Sequence, residues 1–188
     1  ISNPQFAFVN FTIQPSVNAS QATLSITASG TYQIAPGWQL ILTGSGTCTV
    51  TQLIFSGSQN LENSSVPPYA LKIDTNGWTT AILQQRFSGV GAIWQNQFVS
   101  MSVLARSGSS IASPITLKYV PNLPGTPVEI NSQALDTGNF SIIQGVKPLD
   151  FTIPTNTTLN NLAYVDMQIV LPGTGIVEIS DIQVMGQA

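Results

Sequence analysis

The chemistry this chain can offer sits mainly in a few aromatics flanked by amides. Trp94 is followed by Gln95, Asn96 and Gln97, just after a Gly89-Val90-Gly91 break. Trp78 follows Asn76-Gly77 and precedes a β-rich run. A flat aromatic face stacks against C–H surfaces, and planar amides and guanidinium groups serve hydroxyls as donors and acceptors. Trp94, Trp78, Asn96, Arg86 and Tyr119 are therefore the candidate ligand-binding residues. Three of them have a plainer reading. Trp78 could cap the core, and Tyr119 could close a core edge. Arg86 could be a solvated side chain or pair with Asp74. Trp38 opens an apolar strand and reads as core packing.

Other chemistries are poorly served. The 188 residues contain no histidine, which removes the commonest general base and metal ligand. The single cysteine, Cys48, lies in an alternating stretch and reads as a small buried apolar residue rather than a reactive thiol. A glycosidase needs two carboxylates at a defined separation. Asp74, Glu129, Asp166, Glu178 and Asp181 form no such motif, and Asp166 with Gln168 reads as a solvated polar face. No nucleophile elbow, phosphate loop or metal-ligand spacing is present, so no enzymatic activity and no cofactor are expected.

Charge narrows the partners. Five Lys and Arg against eight Asp and Glu give a net charge of −3, and five scattered cations cannot form a basic stripe for nucleic acid. No run approaches the ~18 apolar residues that span a bilayer, so no membrane insertion is expected. The chain begins at Ile1, which suggests a piece of a longer protein.

The elements that must position these residues are strands. Val99, Met101, Val103 and Ala105 alternate with Ser100, Ser102 and Arg106, a period of two that marks a half-buried strand. Gln84 and Arg86 share one face of their strand, and Leu83 and Phe87 share the other. Residues 66–106 read as three strands joined by tight turns, one of them at Asn76-Gly77. Trp38–Thr43 and Cys48–Phe55 read as two strands broken by Gly44 and Gly46. Further strands are expected near residues 6–13, 22–28, 115–120, 128–130, 140–144, 149–154, 163–171 and 176–184. In the last, the apolar parity shifts between Ile179 and Ile182, which predicts a β-bulge near Ser180–Asp181. The Pro121–Pro127 stretch is expected to be an exposed loop. No 3.6-residue period is convincing. The reading is a single all-β domain over residues 1–188, a jelly-roll β-sandwich of two antiparallel sheets with about ten strands.

Several short words recur in a telling order. They are Asn3-Pro-Gln-Phe, Ala35-Pro-Gly-Trp, Pro68-Tyr-Ala-Leu-Lys-Ile, Leu83-Gln-Gln-Arg-Phe, Val99-Ser-Met-Ser-Val-Leu-Ala-Arg-Ser and Ile179-Ser-Asp-Ile-Gln-Val-Met-Gly. This order resembles the C-terminal jelly-roll domains of bacteriophage tail fibres and tailspikes, which are similar in turn to carbohydrate-binding modules. The resemblance implies a non-catalytic module that binds host cell-surface glycans on a virion or other extracellular appendage, often as a homotrimer. Two alternatives stay open. One is a structural trimerisation or decoration domain without a ligand. The other is a carbohydrate-binding module of a secreted glycoside hydrolase. Many such relatives hold calcium near their paired terminal strands, but Ala7 stands where their carboxylate follows the Phe. No metal is expected, although Asp181 could contribute to one.

Overall fold

The computed structural model describes residues 5–9, 23–35, 37–54, 69–88, 97–122, 126–149 and 164–187. Among these there is no helix, and the strands pair antiparallel throughout. Eleven strands follow one another: β1 (Gln5–Val9), β2 (Thr23–Ile26), β3 (Gly30–Ala35), β4 (Trp38–Ile54), β5 (Tyr69–Ser88), β6 (Phe98–Ser107), β7 (Pro114–Pro121), β8 (Val128–Ala134), β9 (Ser141–Pro148), β10 (Tyr164–Leu171) and β11 (Gly175–Gln187).

Two of these strands are long enough to serve two layers. The N-terminal half of β4 pairs with β3 and with the C-terminal half of β5, which pairs in turn with β10. The sheet continues through β7 to β8. The C-terminal half of β4 pairs with β2 and with the N-terminal half of β5, which pairs with β11. That sheet continues through β6 to β9, while β1 joins the far end of β11. The first layer thus runs β3-β4-β5-β10-β7-β8, and the second β2-β4-β5-β11-β6-β9.

Between the layers lies one apolar core. Trp38, Leu40, Leu83, Leu117, Tyr119, Met167 and Ile169 come from the first sheet, and Val50, Leu71, Ile73, Met101, Val103 and Ile179 from the second. The alternation in β6, β7 and β10 places the expected residues inward: Val99 to Ala105 in steps of two, Ile115 to Tyr119, and Val165 to Leu171. Burying a large apolar side chain contributes roughly 1.5–3 kcal/mol, so this core supplies the main drive to fold.

The corner between layers corrects the expected turns. Asn76-Gly77 and Gly44–Gly46 do not reverse the chain; they bend β5 and β4 from one layer into the other. Gly77 takes a φ of 83°, which a side chain would strain. A Cβ on Gly46 would lie 2.4 Å from the Asn76 carbonyl oxygen, so only glycine lets the bent strands pass. Two register shifts, at Thr43/Gly44 and Gly44/Thr47, absorb the bend. The three expected central strands are therefore two, β5 and β6. Strand β3, absent from the sequence reading, adds the sheet edge. Pro121 is also not loop: it ends β7, in register with Val165. Residues 150–154, an expected strand, lie outside the described residues.

The predicted bulge is present. Pairing of β11 with β6 shifts register between Ser180 and Gln183, and Asp181 takes a φ of 42°. Inward residues change from Val177 and Ile179 to Ile182 and Val184 across it. No helix among the described residues is long and apolar enough to cross a membrane.

Candidate functional site

The outward side of the first layer gathers polar groups that the linear sequence scatters. Register aligns Gln33 with Gln39, Gln39 with Gln84, Gln84 with Gln168, Gln168 with Lys118, and Lys118 with Glu129. One row of planar or charged groups thus crosses all six strands of the layer. At roughly 4.8 Å per strand it is about 24 Å long. Beside it runs a second row, Thr31, Ile41, Ile82, Val170, Thr116 and Ser132, whose middle is apolar and half-buried.

The centre of the amide row is built rather than merely solvated. Gln168 Nε2 donates to Gln84 Oε1 at 2.6 Å, and the two residues are only 8% and 7% exposed. The Gln84 amide nitrogen and the Gln168 carbonyl oxygen keep further hydrogen-bonding capacity. Asp166 and Gln168, expected as solvated face residues, are instead buried and paired across the strand boundary.

Arg86 is next to the row, and its partner differs from the one expected. Its Nε and Nη2 donate to the two Asp166 carboxylate oxygens at 2.8 and 2.9 Å, so Asp166, not Asp74, holds it. The two residues face each other in register on β5 and β10. The guanidinium also lies 3.6 Å from the Tyr164 ring centroid, stacked on it. Its hydrogen bonds to the Asp166 carboxylate raise the Arg86 pKa above its ordinary value, so the fork stays charged. Nothing in the sequence paired Arg86 with Asp166, since eighty residues separate them. Tyr164 was missed altogether.

Two of the expected aromatics do not reach this face. Trp78 is 5% exposed, and its indole N–H donates to the Thr47 carbonyl at 2.9 Å. Its backbone N–H donates to Gly173 at 3.0 Å, so it fastens the corner between layers. Tyr119 is wholly buried in the core and donates its hydroxyl hydrogen to the Pro148 carbonyl at 2.8 Å. Neither ring presents a face to a ligand. Trp94 and Asn96 lie outside the described residues. Trp38 is core, as its apolar strand indicates.

Reactive groups are held in inert settings. Burial, and secondarily the Asp74 charge, pushes the Cys48 thiol up from 9.0 to about 11. The two buried carboxylates, Asp166 and Glu178, lie on the outward sides of different layers, each bound to an arginine. They cannot flank one glycosidic bond. Asp181 is exposed on its bulge, and the described residues contain no group of three or more His, Cys, Asp or Glu.

Comparison with known proteins places the fold. No family model matches the chain, and no curated protein matches it. Among solved structures, it superposes on the CBM22-1–GH10 modules of Clostridium thermocellum endo-1,4-beta-D-xylanase 10B, a structure with bound xylohexaose, at a TM-score of 0.52 and 9% identity. That match covers 88% of this chain but only 28% of the other. The CBM22-2 xylan-binding domain of Paenibacillus barcinonensis Xyn10C matches at a TM-score of 0.52 and 12% identity, over 80% of this chain and 92% of that one. A cyclase from Fischerella sp. TAU matches at 0.52 and 11% identity, over 96% and 98%. At such identities these likenesses define the fold alone: the chain is a jelly-roll β-sandwich of the kind found in carbohydrate-binding modules. A cyclase on the same fold shows that chemistry must be argued from the site.

Proposed function

We propose that this domain is a non-catalytic carbohydrate-binding module whose glycan lies across the strands of the first layer. The observation that supports this most is the in-register amide row with spare donors and acceptors at Gln84 and Gln168. Amides donate and accept together, as sugar hydroxyls require. The neighbouring half-buried Ile41, Ile82 and Val170 offer apolar contact to C–H faces. One structural neighbour is a xylan-binding domain, which supports the same ligand class.

A glycan-array screen followed by calorimetry tests the reading. Substituting Gln84→Ala and Gln168→Ala together removes both members of the pair and strands neither. Two lost hydrogen bonds of about 1 kcal/mol each predict roughly a thirtyfold weaker glycan. Unchanged affinity in a folded double variant would refute the site. Trp94→Ala and Asn96→Ala extend the test to the remaining candidates, whose loss should weaken binding further.

The ordered words in the sequence support a setting in a phage-like fibre or tailspike, as a homotrimer contacting cell-surface glycan. A module attached to a secreted glycoside hydrolase is supported by the xylanase modules among the fold neighbours. Light scattering separates them: a trimer supports the fibre, a monomer the appendage. A trimer silent on the array would point to a structural cap.

A further inference from the structure

The outward side of the second layer carries a groove of its own, of about 450 Å³, far from the amide row in the strand order. Ser100, Ser102, Gln144, Val146, Gln183 and Met185 line it with side chains from β6, β9 and β11. Register explains the arrangement. Gln144 pairs with Ser102 and Ser102 with Gln183, while Val146 pairs with Ser100 and Ser100 with Met185. The floor is hydroxyl, two amides stand on either side of it, and Val146 and Met185 make apolar walls.

The bulge at Asp181 creates this site. Before it, odd-numbered residues of β11 point inward; after it, Ile182 and Val184 do, so Gln183 and Met185 turn outward. A strand without the bulge would have sent both amide and thioether into the core. No hydrogen bond ties the side chains of Ser102, Gln144 or Gln183 to any described residue. Ser100 Oγ makes only a long 3.5 Å bond to the Met185 carbonyl. Gln144 and Gln183, two strand spacings apart, are roughly 10 Å from one another along the sheet.

We propose that this groove is a second binding site for a neutral, polyhydroxylated ring, a sugar unit or short oligosaccharide distinct from the glycan on the first layer. Every polar group in the groove both donates and accepts, which matches hydroxyls. Among the described residues no charged side chain lines it, so an anionic or cationic ligand would find no charged partner there. The groove's volume falls within the range of small-ligand pockets, about 300–1,000 Å³. The unbranched thioether of Met185 adapts to the apolar face of a ring.

Side-chain amide resonances read each site directly. The labelled full chain is titrated with glucose, galactose, mannose, xylohexaose and, as an anionic control, glucuronate. The Gln144 and Gln183 NH₂ signals are expected to shift saturably with at least one neutral sugar and not with glucuronate. Gln183→Ala, on the surface and outside the core, should weaken that event about tenfold while leaving any shift at Gln84 and Gln168 unchanged. Shifts confined to Gln84 and Gln168 would overturn this proposal and leave the first-layer reading intact. Shifts confined to Gln144 and Gln183 would uphold it and overturn the first-layer site. Silence at both pairs with every neutral sugar, or equal response to glucuronate, would overturn it.

Discussion

Removing one partner of the Arg86–Asp166 pair should cost far more from one side than from the other. The two are bidentate at 2.8 and 2.9 Å, but their surroundings differ: the Arg86 side chain is 49% exposed and that of Asp166 only 9%. In Asp166→Asn the guanidinium keeps its place on Tyr164 and recovers water for the donors it loses. That resembles losing an exposed pair, about 1 kcal/mol or less. In Arg86→Met the carboxylate stays nearly buried with neither of its two donors. Stranding a buried charge costs roughly 3–5 kcal/mol when both partners are inside, and the half-exposed arginine reduces this to about 2–3 kcal/mol. The expected gap is therefore about 2 kcal/mol, or roughly 1 M in urea midpoint at a slope near 2 kcal/mol/M. Urea unfolding followed by circular dichroism measures it, with equal slopes as the check on two-state behaviour. The double variant should recover part of the Arg86→Met loss, because the stranded charge is gone. Equal costs for the two single variants, or a double variant no better than Arg86→Met, would refute the argument from unequal burial.

Two further outcomes follow from the core and the corner. The Cys48 thiol, held near 11 against 9.0 in the unfolded chain, stabilises the fold fully below about pH 9 and loses that contribution as pH rises through 11. A shift of this size is worth about 3 kcal/mol. Wild type should therefore lose more stability than Cys48→Ala between these limits, and parallel pH curves would count against it. Gly173→Ala would set a Cβ 2.1 Å from the Trp78 carbonyl oxygen, at the residue whose own carbonyl accepts the Trp78 N–H. Overpacking there should cost roughly 2–3 kcal/mol in thermal unfolding. Gly138→Ala, whose Cβ would meet only Asp136 Oδ1 at 3.6 Å, should be near neutral.

Much of the architecture is readable in the residues themselves, because a strand's burial pattern is a local property. The inward faces of β6, β7 and β10 follow from simple alternation. So does the bulge at Asp181, since a parity shift in apolar residues can be satisfied only by an extra residue in the strand. Cys48 and Trp38 read as core for the same reason. Local pattern also misleads where one signal has two meanings. Asn76-Gly77 and Gly44–Gly46 are turn residues by type, yet here they bend strands that keep going, because each half finds new partners in the other layer. Trp78, beside that bend, reads as a ligand-binding candidate for the same cause, yet it is buried at the corner.

The candidate sites were legible only in part, because each is a matter of register. Gln84, Arg86, Asp166 and Gln168 each declare a polar face, and the sequence alone determines that much. Which polar residue meets which depends on how β10 is set against β5, a choice made by the packing of Leu83, Met167 and Ile169 between the layers. That choice forms the Arg86–Asp166 fork, joins Gln84 to Gln168, and extends their row from Gln33 to Glu129. The chain's alternation, its low charge and its lack of histidine are determined residue by residue. The two outward surfaces belong to the tertiary structure, because hydrogen-bonded pairing brings together side chains that no local spacing relates.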